Sequence, residues 1–309
     1  MTDSLTIYLG SKCNLNCKYC HREKDENENG VSDNLLKRIK DDKIKNISFI
    51  GGEPTLYMDD IKGVVEANPA ADFKITTNGI GIKKYLPFFL SHKFLICISF
   101  DGKNDLRGYD PFQEMIDYPY IAVSCTLYHG NTCFRDIIKR FAEKEKIDGR
   151  HLPFYPHIMH YTSEKNKKYR LTENDYDMIF EQYKKCVSDY VRDYVSYGIC
   201  NVRFQGLFNQ LKSAYNAGYQ LGETYCVNSH RSKCDANGDN YTCLYIRDKK
   251  PKENKDYIKN NYPKCVGCPV YGMCGSACVK SLEHDGECRY YFKLYSWFRD
   301  FFERYKERF

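Results

Sequence analysis

No stretch of this chain reaches the roughly 18 uncharged apolar residues that a membrane-spanning helix needs. Its first residues, Met1 to Ser11, carry neither a basic head nor an apolar core of about 7–15 residues, so no secretory signal opens it. A marked charge excess is missing too. The 47 Lys and Arg against 41 Asp and Glu leave a net charge of +6 over 309 residues, which argues for neither a nucleic-acid partner nor a membrane surface. The charged runs at 165–168 and 249–255 read as solvated loops, and the 28 tyrosines carry no functional signal. What the chain has in quantity is cysteine, 16 in all. Its length, the lack of a secretion signal and the clustering of thiols at metal-ligand spacings argue against a disulfide scaffold. They argue instead for a reducing cytoplasm, and an anaerobic one, because oxygen destroys exposed clusters. The length allows one large domain and a smaller one.

The densest signal is Cys13, Cys17 and Cys20, spaced C-x3-C-x2-C. Thiolates are the preferred ligands of iron–sulfur clusters and zinc, and this spacing lets short loops curl around one such centre. A closed structural site wants four protein ligands. Here the next residue is His21 and the next cysteine is Cys97. Three ligands and one open position describe a centre that binds something else. On these residues alone, a reactive cluster and a zinc site completed from elsewhere both stay open.

With Tyr19 before the last cysteine and a strand in front, the motif resembles the signature of the radical S-adenosylmethionine (radical SAM) enzymes. The resemblance implies a [4Fe-4S] cluster on Cys13, Cys17 and Cys20. Its fourth iron would be chelated by the amino and carboxylate groups of S-adenosylmethionine, whose reductive cleavage releases a 5'-deoxyadenosyl radical.

The first half alternates apolar runs with amphipathic segments. Strands are expected at 5–9, 46–50, 73–77, 94–100 and 120–127, with a sixth at 151–159 weakened by Pro153 and Pro156. Helices are expected at 32–42 with Ser32 as N-cap, 59–67, 82–91, 134–144, and 172–194 with Thr172 capping and Asp175 in the first turn. Strand–helix alternation implies a parallel sheet with right-handed crossovers. The fold class is α/β: a partial, open (β/α)6 TIM-type barrel, then a small cysteine-rich domain and a C-terminal helix. Chemistry in such sheets gathers at the carboxyl ends of the strands, where the cysteine triad lies.

Each further strand end carries polar equipment. Gly51-Gly52-Glu53-Pro54 follows strand two, and its glycines permit close backbone approach and positive φ. It matches a G-G-E-P motif which the resemblance places on the methionine amino group. Strand three ends at Thr77-Asn78-Gly79, strand four at Ser99-Phe100-Asp101-Gly102, with Arg107 soon after. The resemblance puts Asn78 near the cofactor, Ser99 near its methionine or ribose end with Asp101 beside it, and Arg107 on the carboxylate as a charge-assisted contact. Ordinary βα turns and a surface arginine are the bland readings. Four successive matches in order outweigh them.

From Cys226 onward the chain changes character, with Cys226, Cys234, Cys243, Cys265, Cys268, Cys274, Cys278 and Cys288. Such density in a loop-rich tract reads as a metal-nucleated module. Zinc knuckles are one way to build it. The pattern C-x11-G-x4-C, then C-x2-C-x5-C-x3-C, then C, resembles the SPASM domain of radical SAM enzymes that modify peptides and proteins. That implies two auxiliary [4Fe-4S] clusters, three in all: a distal one on Cys265, Cys268, Cys274 and Cys288, and one nearer the active site on Cys226, Cys243 and Cys278. The nearer cluster is one ligand short. A two-residue hairpin at Asn237-Gly238 would face 234 with 241 and 232 with 243, making Cys234 a diagonal neighbour of Cys243 and the candidate fourth ligand. Cys200 from a distance, or a site left open for substrate, are the alternatives. Cys97 and Cys125 read as core residues, and Cys200 is the remaining candidate for a hydrogen-donating thiol.

The resemblance covers about 4–130 and 226–288. The domain expectation is 1–200 for the barrel, 201–225 for a bridging helical segment, 226–290 for the SPASM domain, and 291–309 for a terminal helix. That helix, expected at 290–308, would place Phe292, Tyr295, Phe298, Phe301 and Phe302 on one face. The implied function is radical modification of a ribosomally made peptide or protein, with thioether or carbon–carbon cross-linking ahead of epimerisation, and flavodoxin or ferredoxin as electron donor. Formylglycine formation from Cys or Ser, as in sulfatase maturation, and a zinc-stabilised non-catalytic binding module are the rivals. Because the chain begins at the catalytic strand, an N-terminal peptide-recognition domain is not expected.

Overall fold

The computed structural model describes residues 4–17, 19–20, 30–101, 111–115, 118–148, 151–224, 231–241, 255–279 and 281–309. The chain forms two compact units, Met1–Ser124 with Asn228–Pro251, and Cys125–Val227 with Lys252–Phe309.

The first unit alternates strand and helix: β1 (Ser4–Tyr8), α1 (Asp33–Asp42), β2 (Asn46–Ile50), α2 (Met58–Ala67), β3 (Asp72–Thr77), α3 (Leu86–Ser91), β4 (Leu95–Ser99) and β5 (Ile121–Leu127). Neighbouring strands from β1 to β5 pair in parallel, so their carboxyl ends share one edge. Ser32 caps α1 by accepting from Leu35 N, as its position before the apolar period requires. The core is partly aromatic: Phe49, Phe73 and Phe94 stack, with ring centroids 5.0 Å apart for Phe73 and Phe94 and 6.0 Å for Phe49 and Phe94. Each buries nearly all of its surface, stabilising by about 2–3 kcal/mol. The segment 82–91 is not one helix. A 3-10 turn at Ile82–Tyr85 precedes α3, because Pro87 fits only the first turn of a new helix.

The seventh strand, β7 (Arg231–Asp235), lies beside β1 in parallel, with Ile7 opposite Cys234. Its hairpin register differs from expectation. Asp235 N donates to Asp239 O and Tyr241 N to Lys233 O, so Cys234 faces Asn240 and the loop is Ala236, Asn237 and Gly238. The loop docks on α1: Ser32 N donates to Ala236 O at 2.9 Å and Ser32 Oγ to Asn237 O at 2.9 Å. Gly238 has φ +88° and a Cβ there would stand 3.4 Å from Leu35, so loop and helix select a glycine together.

In the second unit β5 runs on, and β6 (Phe154–Ile158) joins beside it, giving the strand order β6-β5-β4-β3-β2-β1-β7. Helices α4 (Phe134–Asp148), α5 (Glu173–Tyr197), α6 (Val202–Tyr215), α7 (Lys255–Asn261), α8 (Tyr271–Cys274) and α9 (His284–Phe302) make up the rest. Thr172 and Asp175 form a reciprocal capping box on α5, and Gly198 closes it with φ +67°. Helix α9 starts at 284 rather than 290. Its buried stripe is Tyr290, Leu294, Phe298 and Phe302, spaced by one turn and packed toward α5 and α6. Phe292, expected on that face, is 46% exposed.

Candidate metal and cofactor sites

The N-terminal site sits where β1 to β4 end, all within the first unit. Cys13 and Cys17 are half-buried and Cys20 is exposed, an arrangement open to a small molecule. Cys20 N donates to Cys17 O at 3.0 Å, which curls the loop. The Cys13 sulfur receives Leu15 N at 3.4 Å and Asn78 Nδ2 at 3.9 Å. Donors aimed at sulfur suit a thiolate. Asn78 also donates to Asn14 Oδ1 at 2.8 Å, joining the end of β3 to the cysteine loop. Tyr19 Oη donates to Asp101 Oδ2, and both side chains are buried. Asp101 therefore clamps the cysteine loop from the end of β4. Ser99, half-buried, is the last residue of β4 and lies opposite Ser124.

Glu53 is 1% exposed and accepts four hydrogen bonds. Thr55 N (3.0 Å), Thr55 Oγ1 (2.8 Å) and Thr77 Oγ1 (2.6 Å) donate to Oε1, and Asn78 N (2.7 Å) donates to Oε2. All four partners are donors, so the group acts as a carboxylate that ties the β2 exit to the β3 exit. Only Oε2 keeps acceptor capacity for a ligand's ammonium. Gly51 and Gly52 are needed for close approach alone, since neither has positive φ. A Cβ on Gly51 would stand 2.7 Å from Gly10 O, and one on Gly52 2.2 Å from Lys12 O. Gly52 N donates to Gly10 O and Glu53 N to Lys12 O, so the two loops share a ladder at the cysteine loop's root.

In the second unit Cys265, Cys268, Cys274 and Cys288 line one small cavity with Tyr271, Ser276 and Phe292. Burial pushes the Cys274 thiol up to about 12; Ala277 N, donating at 3.1 Å, pulls against it, while Cys288, Cys265 and Cys268 push the same way. Burial and the neighbouring thiols Cys265 and Cys268 also raise Cys288. Thiols that oppose one another's ionisation, with N–H and O–H donors already turned toward their sulfurs, fit a polynuclear metal cluster, whose positive charge removes the conflict. This is the set expected for the distal cluster.

Cys278 stands apart from these four. A ring nitrogen of His160, the Cys278 sulfur and a Glu287 oxygen all lie within 4.8 Å of one another, and among the described residues no other such trio occurs. His160 Nδ1 donates to Glu287 Oε2 at 2.8 Å. Burial lowers the imidazole pKa, but the Glu287 carboxylate outweighs it and holds His160 above its ordinary value. Nothing in the sequence pattern pointed to His160 or Glu287, which are 127 positions apart.

Cys234 is fully buried in β7, and burial pushes its thiol up to about 12. The expected pairing of 234 with 241 is replaced by 234 with 240, and Cys243, the neighbour on which its candidacy as a ligand rested, lies outside the described residues. Cys97 and Cys125 are core residues as expected, and Cys200 is exposed. Arg107, Cys226 and Cys243 lie outside the described residues.

Residues 7–148 match the Radical SAM superfamily. They are a radical SAM domain. Domains of this superfamily belong to enzymes, and the match implies S-adenosylmethionine and a [4Fe-4S] cluster as cofactors. A stretch of 90 residues is 34% identical to a probable GTP 3',8-cyclase of Methanococcus maripaludis, covering 26% of this chain and 30% of that relative. A stretch of 84 residues is 38% identical to a probable GTP 3',8-cyclase of Methanothermobacter marburgensis, covering 25% of this chain and 27% of that one. The chain thus spans less than a third of these curated relatives' length. Among solved structures, native anSMEcpe with bound AdoMet and Kp18Cys peptide superposes with a TM-score of 0.66 over 96% of this chain and 97% of that chain. At 21% identity this is a likeness of fold.

Proposed function

We propose that this protein is a peptide- or protein-modifying radical SAM enzyme with a C-terminal SPASM-type domain holding two auxiliary [4Fe-4S] clusters. The reading rests on one observation above the rest: a second field of thiols, with four lining one cavity and a fifth beside His160, in addition to the triad of the radical SAM domain. A chain that only cleaved S-adenosylmethionine would have no use for that field. The fold neighbour's bound peptide supports a peptide substrate over a nucleotide one.

When bound, the cluster and S-adenosylmethionine supply a carbon-centred radical able to take hydrogen from an unactivated position. Cys13, Cys17 and Cys20 would hold the cluster. Glu53, through Oε2, would accept the methionine ammonium. Tyr19 and Asp101 fix the cysteine loop, and Gly52 lets the β2 exit press against it. In the second unit, Cys265, Cys268, Cys274 and Cys288 would hold one auxiliary cluster, and Cys278, with Cys226 and Cys243, the other. The outcome we favour is a thioether or carbon–carbon cross-link, which removes two hydrogens from the peptide; an auxiliary cluster, when bound by these thiols, would supply an acceptor for the electron left after hydrogen abstraction, the proton passing to solvent. A ferredoxin or flavodoxin would reduce the N-terminal cluster in a reducing cytoplasm.

The test is anaerobic reconstitution with iron and sulfide, reduction by dithionite, and assay for 5'-deoxyadenosine, followed by incubation with small peptides encoded beside the gene. The expected result is a brown protein absorbing near 400 nm that forms 5'-deoxyadenosine and shortens a peptide's mass by about two hydrogens per cross-link. A colourless protein, or one that turns over GTP and no peptide, would refute it.

A further inference from the structure

Nine consecutive residues, 194–202, carry no charged side chain in a chain that is 28% charged. They read Tyr-Val-Ser-Tyr-Gly-Ile-Cys-Asn-Val and turn the end of α5 into the start of α6, within the second unit. Tyr197 is 72% exposed and Ile199 56%, and Tyr194, Val195 and Val202 are each exposed by more than a third. Among the described residues, 5 of the 13 large apolar side chains that stand exposed thus fall in this one corner. Apolar residues exposed singly need no explanation, but a cluster of them marks a surface that something covers.

The corner is held rigidly from behind. Gly198 N donates to Tyr194 O at 3.0 Å and Ile199 N to Asp193 O at 3.2 Å, which closes α5. Asn201 caps α6 by accepting from Arg203 N at 3.2 Å. The Tyr194 ring stacks on Phe309 with centroids 5.0 Å apart, and Lys212 Nζ donates to Phe309 O at 2.8 Å. In a glycine closure of this kind the apolar residue after the glycine commonly folds back onto its helix. Ile199 stands out into solvent instead.

The neighbouring charges narrow the choice of occupant. Asp189 pairs with Lys185 and with Arg192, each at 2.9 Å, and Arg192 also pairs with Asp193 at 2.9 Å. Two cations and two carboxylates thereby neutralise one another toward the end of α5. The corner offers no cationic field to an anionic lipid or a nucleic acid, and no single sign to a charged protein. An uncharged apolar surface is complementary to itself. Its five large side chains expose roughly 400 Å² of apolar area. A stable dimer draws about 800 Å² from each partner, a little over half of it non-polar. The corner therefore supplies the apolar share of such an interface.

We propose that this corner is the isologous interface of a homodimer, in which two copies pack corner to corner about a two-fold axis. The interface needs no iron in the second unit, so it stands apart from the function proposed above.

The experiment is sedimentation velocity on the full reconstituted chain, under anaerobic conditions, from about 0.1 to 100 μM. The expected result is a reversible monomer–dimer equilibrium. Ile199→Lys and Ile199→Glu should each raise the dimer dissociation constant at least about tenfold, because like charges meet across the axis, with circular dichroism unchanged. Mixing the two variants in equal amounts should restore the dimer, which a loss of folding could not do. A parent that is monomeric throughout would overturn the proposal. So would a dimer that both variants leave intact, or two monomeric variants whose mixture stays monomeric. A monomer that binds a substrate peptide and loses it in both variants would overturn it in favour of a peptide site.

Discussion

Glu53 gives the sharpest test of how the radical SAM domain is built. Replacing it with glutamine keeps the shape and removes one acceptor. Three of its four hydrogen bonds fall on Oε1, so the amide oxygen will take that position and the amide NH2 will face Asn78 N, now 2.7 Å from Oε2. Two donors then confront each other in a site that is 1% exposed. A hydrogen bond to a charged acceptor is worth about 1.5–3 kcal/mol, and a buried donor left unsatisfied costs about 1–3 kcal/mol. Glu53→Gln should therefore destabilise the protein by about 2–4 kcal/mol, and Glu53→Ala, which strands all four donors, by more. Thr77→Val removes one donor of three on Oε1 and the acceptor of Gly79 N, which donates to Thr77 Oγ1 at 3.0 Å, and should cost about 1–3 kcal/mol. The assay is urea unfolding without S-adenosylmethionine, read as a shift in midpoint at constant slope. A Glu53→Gln variant within about 0.5 kcal/mol of the parent, yet unable to bind S-adenosylmethionine, would refute the reasoning: the acid would then be a ligand contact and no girder.

Cys13→Ala should abolish 5'-deoxyadenosine formation and lower reconstituted iron by about four atoms per chain, measured by chemical iron assay. Gly52→Ala and Gly63→Ala should have opposite signs in the same unfolding assay. At Gly52 a Cβ meets backbone at 2.2 Å and the loops must separate, costing a few kcal/mol; at Gly63, inside α2, the nearest atoms are 4.0 Å away and alanine should stabilise by about 0.5–1 kcal/mol. Burial raises the Asp175 carboxyl, but the Thr172 amide and hydroxyl and His129 outweigh it and hold its pKa below the usual range. A depressed folded-state pKa gives stability that is present above the unfolded pKa and lost as pH falls through the folded one. Asp175→Asn should therefore narrow the stability gap to the parent as pH drops below about 4, measured by thermal unfolding across pH.

The parts of the fold written in local pattern were legible. Strands β2 and β3 stand within a residue of expectation because their alternation is bounded by turn residues on both sides, and the caps Ser32 and Thr172 announce α1 and α5. So was the gathering of the cysteine loop, Glu53, Asn78 and Asp101 at four consecutive strand ends, because a parallel sheet sends every carboxyl end to one edge. What depends on distant pairing was not. Nothing in Arg-Ser-Lys-Cys-Asp says that it will lie beside β1, more than 200 positions earlier. The hairpin after it differs from expectation by one residue, so Cys234 pairs with Asn240 and not with Tyr241, because a three-residue loop takes the place of the two-residue turn. His160 and Glu287 had no spacing to announce them, since one ends a strand and the other opens a helix. The two glycines of the β2 exit were anticipated for the right reason and a wrong one. Contact, and not handedness, selects them.

The loop between Cys274 and Cys278 shows how the second thiol field is held. Gly275, Ser276 and Ala277 take φ of +56°, +69° and +53° in succession. A left-handed residue other than glycine costs about 1–2 kcal/mol, so Ser276 and Ala277 together store a few. Hydrophobic burial does not offset this, because Ser276 is buried but polar and Ala277 has little side chain to bury. What the strained path achieves is orientation. It turns Ala277 N onto the Cys274 sulfur at 3.1 Å, sets Ser276 Oγ 3.7 Å from the Cys265 sulfur, and offers Ser276 O to His284 Nε2 at 2.8 Å. Donors pointed at thiols favour their ionised form, which burial and the neighbouring thiols oppose, so the arrangement suits a cation set among the sulfurs. The backbone conformation and the mutual opposition of the thiols thus favour the same occupant, a cation bound by several sulfurs.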